Sequence, residues 1–206
     1  MGVFVKICGC RSGQDVEAVA ARRPDAVGFI LWPGSKRYVR PEWVRTWTRD
    51  LPATIRKVGV FVNADRDEIR EAVDLAGLDV VQLHGEESPD LTRSLSGERW
   101  KAIHLNRPLA APLDAYEVDA LLLDHHGGDQ PGGTGGAVDW NKAARFVSDA
   151  PVKVLLAGGL NPDNVAEAVE QVRPWGVDVS SGVETKDGGK DEKKVEDFIR
   201  ACRDLE

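Results

Sequence analysis

The sequence predicts an α/β fold of one domain, a (β/α)8 TIM barrel with parallel strands. Three observations carry that expectation. Eight short apolar segments alternate with helix-like segments along all 206 residues. Those segments lack the polar alternation of a one-sided sheet, which suits parallel strands covered on both faces. No linker or shift in composition divides residues 1–206, and a single barrel takes about 200–250 residues. A doubly wound open sheet would use fewer strands and often a GxGxxG turn after the first. Here the first strand runs into Cys8-Gly9-Cys10 instead.

Val3–Ile7 is a run of β-branched and aromatic residues broken only by Lys6, so it reads as a strand. It ends at Cys8, and Gly9 lets the chain turn away. Side chains alternate on a strand, placing Phe4, Lys6 and Cys8 on one face. A lysine two residues before a terminal cysteine is odd for packing alone. It makes sense where a thiolate is wanted, because a nearby cation lowers a thiol pKa. If Cys8 points into the barrel mouth, Lys6 lies one layer below and needs a carboxylate, from Asp178 or Asp124.

Asp15–Ala21 reads as a helix ended by Arg22-Arg23-Pro24, and Ala26–Leu31 as the second strand, followed by the loop Trp32–Tyr38. Pro41 opens a helix in which Trp43, Val44 and Trp47 recur at helical spacing, the two tryptophans as packing residues. Arg56–Val62 is the third strand. Asp65 caps a helix that Gly77 stops after Ala76. Asp79–Leu83 is the fourth strand and runs into His84-Gly85. A helix over Pro89–Leu95 precedes the fifth strand, Arg99–Leu105. The segment Asn106–Tyr116 contains Pro108 and Pro112 and is the poorest helical pattern of the set. Asp119–Leu123 is the sixth strand, ending at Asp124. A glycine-dense loop, His125–Gly136, leads to a helix over Asp139–Ser148. Val152–Ala157 is the seventh strand, with Gly158-Gly159 after it, and Asn161 caps a helix to Val172. The eighth strand, Val177–Val179, runs into Ser180-Ser181-Gly182, and a last helix spans Asp191–Asp204.

Composition narrows the function. A charged fraction of 30% and a net charge of -7 fit a soluble cytoplasmic protein. They argue against nucleic-acid binding, which needs clustered Lys and Arg for phosphate contacts. No apolar run approaches the roughly 18 residues of a membrane span, and no basic segment with an apolar core marks the start as a secretion signal. Three cysteines, Cys8, Cys10 and Cys202, form no closed disulfide set, which suits a reducing compartment. Cys8 and Cys10 lack a second pair, and His125-His126 lack a third ligand at familiar spacing, so no metal site is expected. Exposed faces and subunit contacts look alike in the pattern, leaving a monomer or a homodimer.

Barrel enzymes place their active sites at the C-terminal ends of the strands. That rule selects Cys8, the Arg37 loop, Gln82, His84, Asp124, Gly158-Gly159 and Ser180-Ser181-Gly182. Glycine turns after the last two strands are the usual phosphate position, because backbone N–H groups reach an anion where no Cβ blocks approach. Asp124 follows three leucines and precedes a long loop suited to wrapping a ligand. A carboxyl shielded there is expected to have a raised pKa and to donate a proton near neutral pH. Physical reasoning thus reaches a barrel enzyme with a phosphorylated substrate, a thiol and a carboxyl group.

Several motifs stand out in order: Lys6-Ile7-Cys8-Gly9, Gly28-Phe29 with Ser35-Lys36-Arg37-Tyr38, Val58-Gly59-Val60-Phe61 and Gln82-Leu83-His84-Gly85. Further on come Leu123-Asp124 with Gly132-Gly133-Thr134-Gly135, Leu156-Ala157-Gly158-Gly159-Leu160, and Asp178-Val179-Ser180-Ser181-Gly182-Val183-Glu184. In these motifs, and in their order over nearly the whole chain, the sequence resembles the phosphoribosylanthranilate isomerase family.

The resemblance implies an Amadori rearrangement in tryptophan biosynthesis, without metal or organic cofactor, on a small phosphosugar substrate. It implies Cys8 as general base and Asp124 as general acid. Arg37 would hold the anthranilate carboxylate, and Gly158, Gly159, Ser180, Ser181 and Gly182 the phosphate. Gln82, His84 and Asp178 would line the same mouth. Lys36 stands where many relatives have proline, and Cys10 where an apolar residue is more usual. The histidine-pathway sugar isomerases are the nearest rival, including dual-substrate forms, but they normally end strand one in aspartate. A silent phosphosugar-binding barrel would have no need of both Cys8 and Asp124.

Overall fold

A computed structural model describes residues 2–107, 109, 111–125 and 138–205. Eight parallel strands close on themselves: β1 (Phe4–Cys8), β2 (Ala26–Ile30), β3 (Arg56–Phe61), β4 (Val80–Leu83), β5 (Glu98–Ile103), β6 (Ala120–Leu123), β7 (Lys153–Leu156) and β8 (Gly176–Val179). They pair in chain order, and β1 completes the ring by pairing with β8. Lys6 stands opposite Ala26 on one side and Asp178 on the other.

Among the described residues seven helices surround the barrel: α1 (Gly13–Ala20), α2 (Pro41–Thr48), α3 (Arg66–Ala76), α4 (Pro89–Ser94), α5 (Trp140–Asp149), α6 (Val165–Val172) and α7 (Glu192–Arg203). Local chemistry sets several of their ends. Asp65 accepts from the N–H groups of Asp67 and Glu68 while Glu68 reaches back to the Asp65 N–H, and Gly77 ends α3 in a left-handed conformation.

Two helix expectations are corrected. The fifth unit carries no α-helix among the described residues, only a 3₁₀ turn over Leu113–Tyr116. Pro112 is extended (ψ 145°) immediately before it, and a proline ring blocks a helix from running through from the N-terminal side. The turn is fastened to α4 by the Thr92 hydroxyl, which donates to the Tyr116 carbonyl at 2.6 Å. Secondly, Asn161 does not cap α6. Its side chain accepts from the N–H groups of Asp163 and Asn164, forming a separate turn, and the helix begins at Val165 behind Asn164.

The interior divides into layers. Phe4, Trp100 and Trp175 fill the N-terminal end, with Phe4 stacked on Trp175 at 4.4 Å and edge-on to Trp100 at 5.9 Å. Against them pack Val58, Val80, Leu122 and Leu155. The larger apolar cluster lies between strands and helices and includes Val5, Ile7, Phe29, Leu121, Val165 and Phe198. The N-terminal end is therefore plugged with rings, and Glu98, which accepts from Trp100 Nε1 and pairs with Arg56, adds polar groups there. Trp43 is not a core residue, being 55% exposed while it stacks on Trp47.

Candidate active site

β1 carries Lys6 and Cys8 inward and then turns at Gly9, whose φ of 78° favours glycine. The space around them depends on a second glycine. Gly28 on β2 pairs with Cys8, and a Cβ there would lie 2.7 Å from Cys8 Sγ and 3.0 Å from Lys6 Cε. Lys6 is fully buried and donates to Asp178 Oδ1 at 2.8 Å. Burial works against its ammonium form, but the charge and hydrogen bond of Asp178 outweigh it and hold the lysine above its usual range. A buried charge requires such a partner.

Cys8 shows the cost of that pairing. Burial pushes its thiol up, Lys6 pulls it down, and Asp178 pushes it up again, leaving it above its ordinary value. The expectation that Lys6 makes Cys8 a thiolate is therefore corrected. Lys6 does favour the thiolate, but burial and Asp178 prevail, so the resting group is a thiol.

Asp124 closes β6 and faces a chain of partners from β4. His84 Nε2 lies 3.1 Å from Asp124 Oδ2, and His84 Nδ1 lies 2.9 Å from Gln82 Nε2. The His125 N–H donates to Asp124 Oδ1 at 2.8 Å. Burial alone would raise the carboxyl, as expected from sequence. The hydrogen bond and charge of His84, the His125 N–H and the charge of His104 outweigh it and hold Asp124 below the usual carboxylate range. This corrects the raised value: Asp124 rests ionised. Gln82 Oε1 is buried with no hydrogen-bond partner among the described residues.

The glycine turns meet backbone to backbone. Gly158 and Gly159 both have positive φ, 79° and 71°. A Cβ on Gly182 would lie 1.9 Å from the Leu160 carbonyl oxygen, so only glycine lets the turn after β8 pack on the turn after β7. Gly182 lies beneath the pocket wall, whereas Gly158, Gly159, Ser180 and Ser181 line it. Arg37 lines the same mouth beside Ser180 and is bound by two hydrogen bonds to Glu184.

One open mouth joins these groups. Cys8, Arg37, Gln82, His84, Asp124, Gly158, Gly159, Asp178, Ser180 and Ser181 all line it, and Gly182 supports it. His125 lines it too; His126 and the glycine motif at 132–135 lie outside the described residues. Sequence reasoning gave no role to Trp32, which lines the pocket, or to Glu184 and Lys190 behind Arg37. Glu184 directly follows the Ser-Ser-Gly-Val turn and ends the last of the family-like motifs, which marks its place and not its task.

A thiol and a carboxyl group on opposite strands, with a glycine cradle and a guanidinium, suit proton transfers on a phosphorylated acid. A sequence profile of the N-(5'-phosphoribosyl)anthranilate (PRA) isomerase family matches residues 5–201. The chain belongs to this family. A PRA isomerase from Geobacter sp. (strain M21) is 42% identical over 98% of both chains. Among solved structures, the phosphoribosyl anthranilate isomerase from Thermus thermophilus superposes with a TM-score of 0.89, at 32% identity over 99% of this chain and 100% of that one. Another, solved in complex with reduced 1-(o-carboxyphenylamino)-1-deoxyribulose 5-phosphate, superposes at 0.82 with 34% identity, over 98% of this chain and 100% of that one. As PRA isomerases these relatives share the closed, all-parallel barrel described above. No helix among the described residues is long and apolar enough to cross a membrane, and no group of three His, Cys, Asp or Glu among them could hold a metal ion.

Proposed function

We propose that the chain isomerises N-(5-phosphoribosyl)anthranilate to 1-(2-carboxyphenylamino)-1-deoxyribulose 5-phosphate, as a cytoplasmic step of tryptophan biosynthesis. The observation that carries this reading is the convergence of Cys8 and Asp124 on one mouth that also holds a glycine cradle and Arg37.

In this reading the Ser180-Ser181 and Gly158-Gly159 turns take the phosphate, and Arg37 takes the anthranilate carboxylate. Asp124, held by His84 Nε2 at 3.1 Å, takes up a proton from solvent before each turnover. It delivers that proton to the furanose ring oxygen, the C1′–O bond breaks, and the nitrogen lone pair forms a C1′=N Schiff base. The cationic Schiff base acidifies the C2′ proton. It also adds a positive charge near Cys8, which favours loss of the thiol proton to solvent, as Lys6 does. The thiolate removes the C2′ proton, giving an enolamine that tautomerises to the ketone.

Loss of the substrate's fluorescence on adding the protein tests the proposal, with the histidine-pathway sugar substrate run in parallel. Turnover of the anthranilate compound supports it. Turnover of the histidine-pathway compound alone, or of neither, overturns it.

A further inference from the structure

Three contacts hold Arg37. Its stem crosses Gly9, where a Cβ would lie 2.9 Å from Arg37 Cδ. Its Nε–H donates to Glu184 Oε1 at 2.7 Å, and an Nη2–H donates to Glu184 Oε2 at 2.9 Å. Glu184 is fixed in turn by Lys190 Nζ, which donates to Oε1 at 3.1 Å and to the Ser180 carbonyl, also at 3.1 Å. The Lys190 N–H donates to Asp15 Oδ1 at 2.8 Å. The three charged side chains are almost free of solvent, at 6%, 9% and 0% exposure for Arg37, Glu184 and Lys190.

A guanidinium offers two edges that match a carboxylate. Glu184 occupies the side edge, Nε with Nη2. The end edge, Nη1 with the second Nη2 hydrogen, is left for another carboxylate. Two cations around one anion leave the cluster with one net positive charge, the complement of a single carboxylate. Its members come from the β2–α2 connection and from the segment after β8, which also carries Ser180 of the phosphate side.

We propose that Glu184 is a positioning residue for substrate recognition, orienting the free edge of Arg37 toward the ring carboxylate, with Lys190 locking Glu184 to the Ser180 turn. This rests on the isomerase reading above. Glu184 touches no substrate itself; it acts through Arg37.

Two stable probes test it: reduced 1-(2-carboxyphenylamino)-1-deoxyribulose 5-phosphate, and the same compound lacking the ring carboxylate. Their Kd values are measured by calorimetry on wild type, Glu184→Ala and the near-isosteric Glu184→Gln, alongside kcat and KM for the anthranilate substrate. A charge-assisted contact predicts that Glu184→Ala weakens the carboxylate probe about 10- to 100-fold, with Glu184→Gln intermediate. The probe without the carboxylate changes less than about twofold, and kcat less than about threefold, because nothing at the reacting carbons has moved. Equal weakening of both probes would show a general structural role and overturn the proposal. Unchanged or tighter binding of the carboxylate probe would show that the ligand displaces Glu184, and overturns it too. Absence of wild-type turnover overturns the isomerase reading; normal turnover with an unchanged ratio between probes overturns only the role of Glu184.

Discussion

Lys6 Nζ lies 2.8 Å from Asp178 Oδ1 at the register pair that joins β1 to β8. The pair serves two ends that oppose each other. It permits a cation to sit inside the barrel directly below Cys8, and it cancels part of that cation's effect on the thiol.

Removing one member strands the other. Lys6→Met should lower stability by about 3–5 kcal/mol, the scale for an uncompensated buried charge. Lys6→Met with Asp178→Leu should recover most of that loss. Urea unfolding of the two single variants and the double measures the coupling. Losses below about 1 kcal/mol in the singles would show the pair to be energetically idle.

Cys8→Ser and Asp124→Asn should each reduce kcat at least about 100-fold, the scale of a lost base or acid. Both replacements are close in shape, so the circular dichroism spectrum and Tm should hardly move. Near wild-type turnover in either variant contradicts the assigned role.

Gly28→Ala probes Cys8 without replacing it. The new methyl would press on Cys8 Sγ at 2.7 Å and on the Cys8 Cα at 3.1 Å, and the backbone atom has nowhere to go. Overpacking of this kind costs about 1–3 kcal/mol. A Tm decrease together with a kcat drop is expected. A variant with normal kcat would mean that Cys8 tolerates displacement.

The pH dependence separates Asp124 from His84. Asp124 has a folded value below its usual 3.8, so its ionised form adds stability above that pH, lost as pH falls through the folded value. In His84→Ala burial remains while the largest opposing contact is gone, so the carboxyl value rises. As the proposed general acid Asp124 works only while protonated, so the limb of kcat/KM on which it loses its proton should move up toward neutral pH, and acid unfolding should begin at higher pH. A limb that does not move would show that His84 does not tune Asp124.

Alkaline behaviour follows from the buried thiols. Cys10 and Cys202 are both pushed by burial from 9.0 to about 12. Folded values above the unfolded ones mean stability that is complete below pH 9 and lost as pH rises from 9 toward 12. Cys10→Ala and Cys202→Ala should each flatten the fall in Tm over that interval. An identical fall in the variants would assign it to other groups.

The features legible in the sequence were those determined within a few residues. Asp65 and Gly77 define α3 by contacts inside their own helix, and strand ends at Cys8 and Asp124 follow from apolar runs that stop. What was misread depends on groups distant in the chain or on competing terms. Burial of Asp124 was foreseen, but not that His84, 40 positions away, would reverse its effect. Glu184 carries no local mark of its task, since the guanidinium it holds is 147 positions earlier. At Pro112 the reason is different: a helical pattern was present, and one residue's fixed geometry overrode it.

The seam between β1 and β8 also sets a schedule. Lys6 and Asp178 are separated by 172 positions, so Cys8 emerges from a ribosome long before the carboxylate that partners the lysine beneath it. At about 5–20 residues per second that interval is roughly 9–34 s. During it the nascent chain has a strand edge exposed on each side and a buried-type lysine without its anion. Activity therefore arises late in synthesis, when the final strand docks, and a chain cut short before β8 should need a chaperone's protection and have no use as a catalyst.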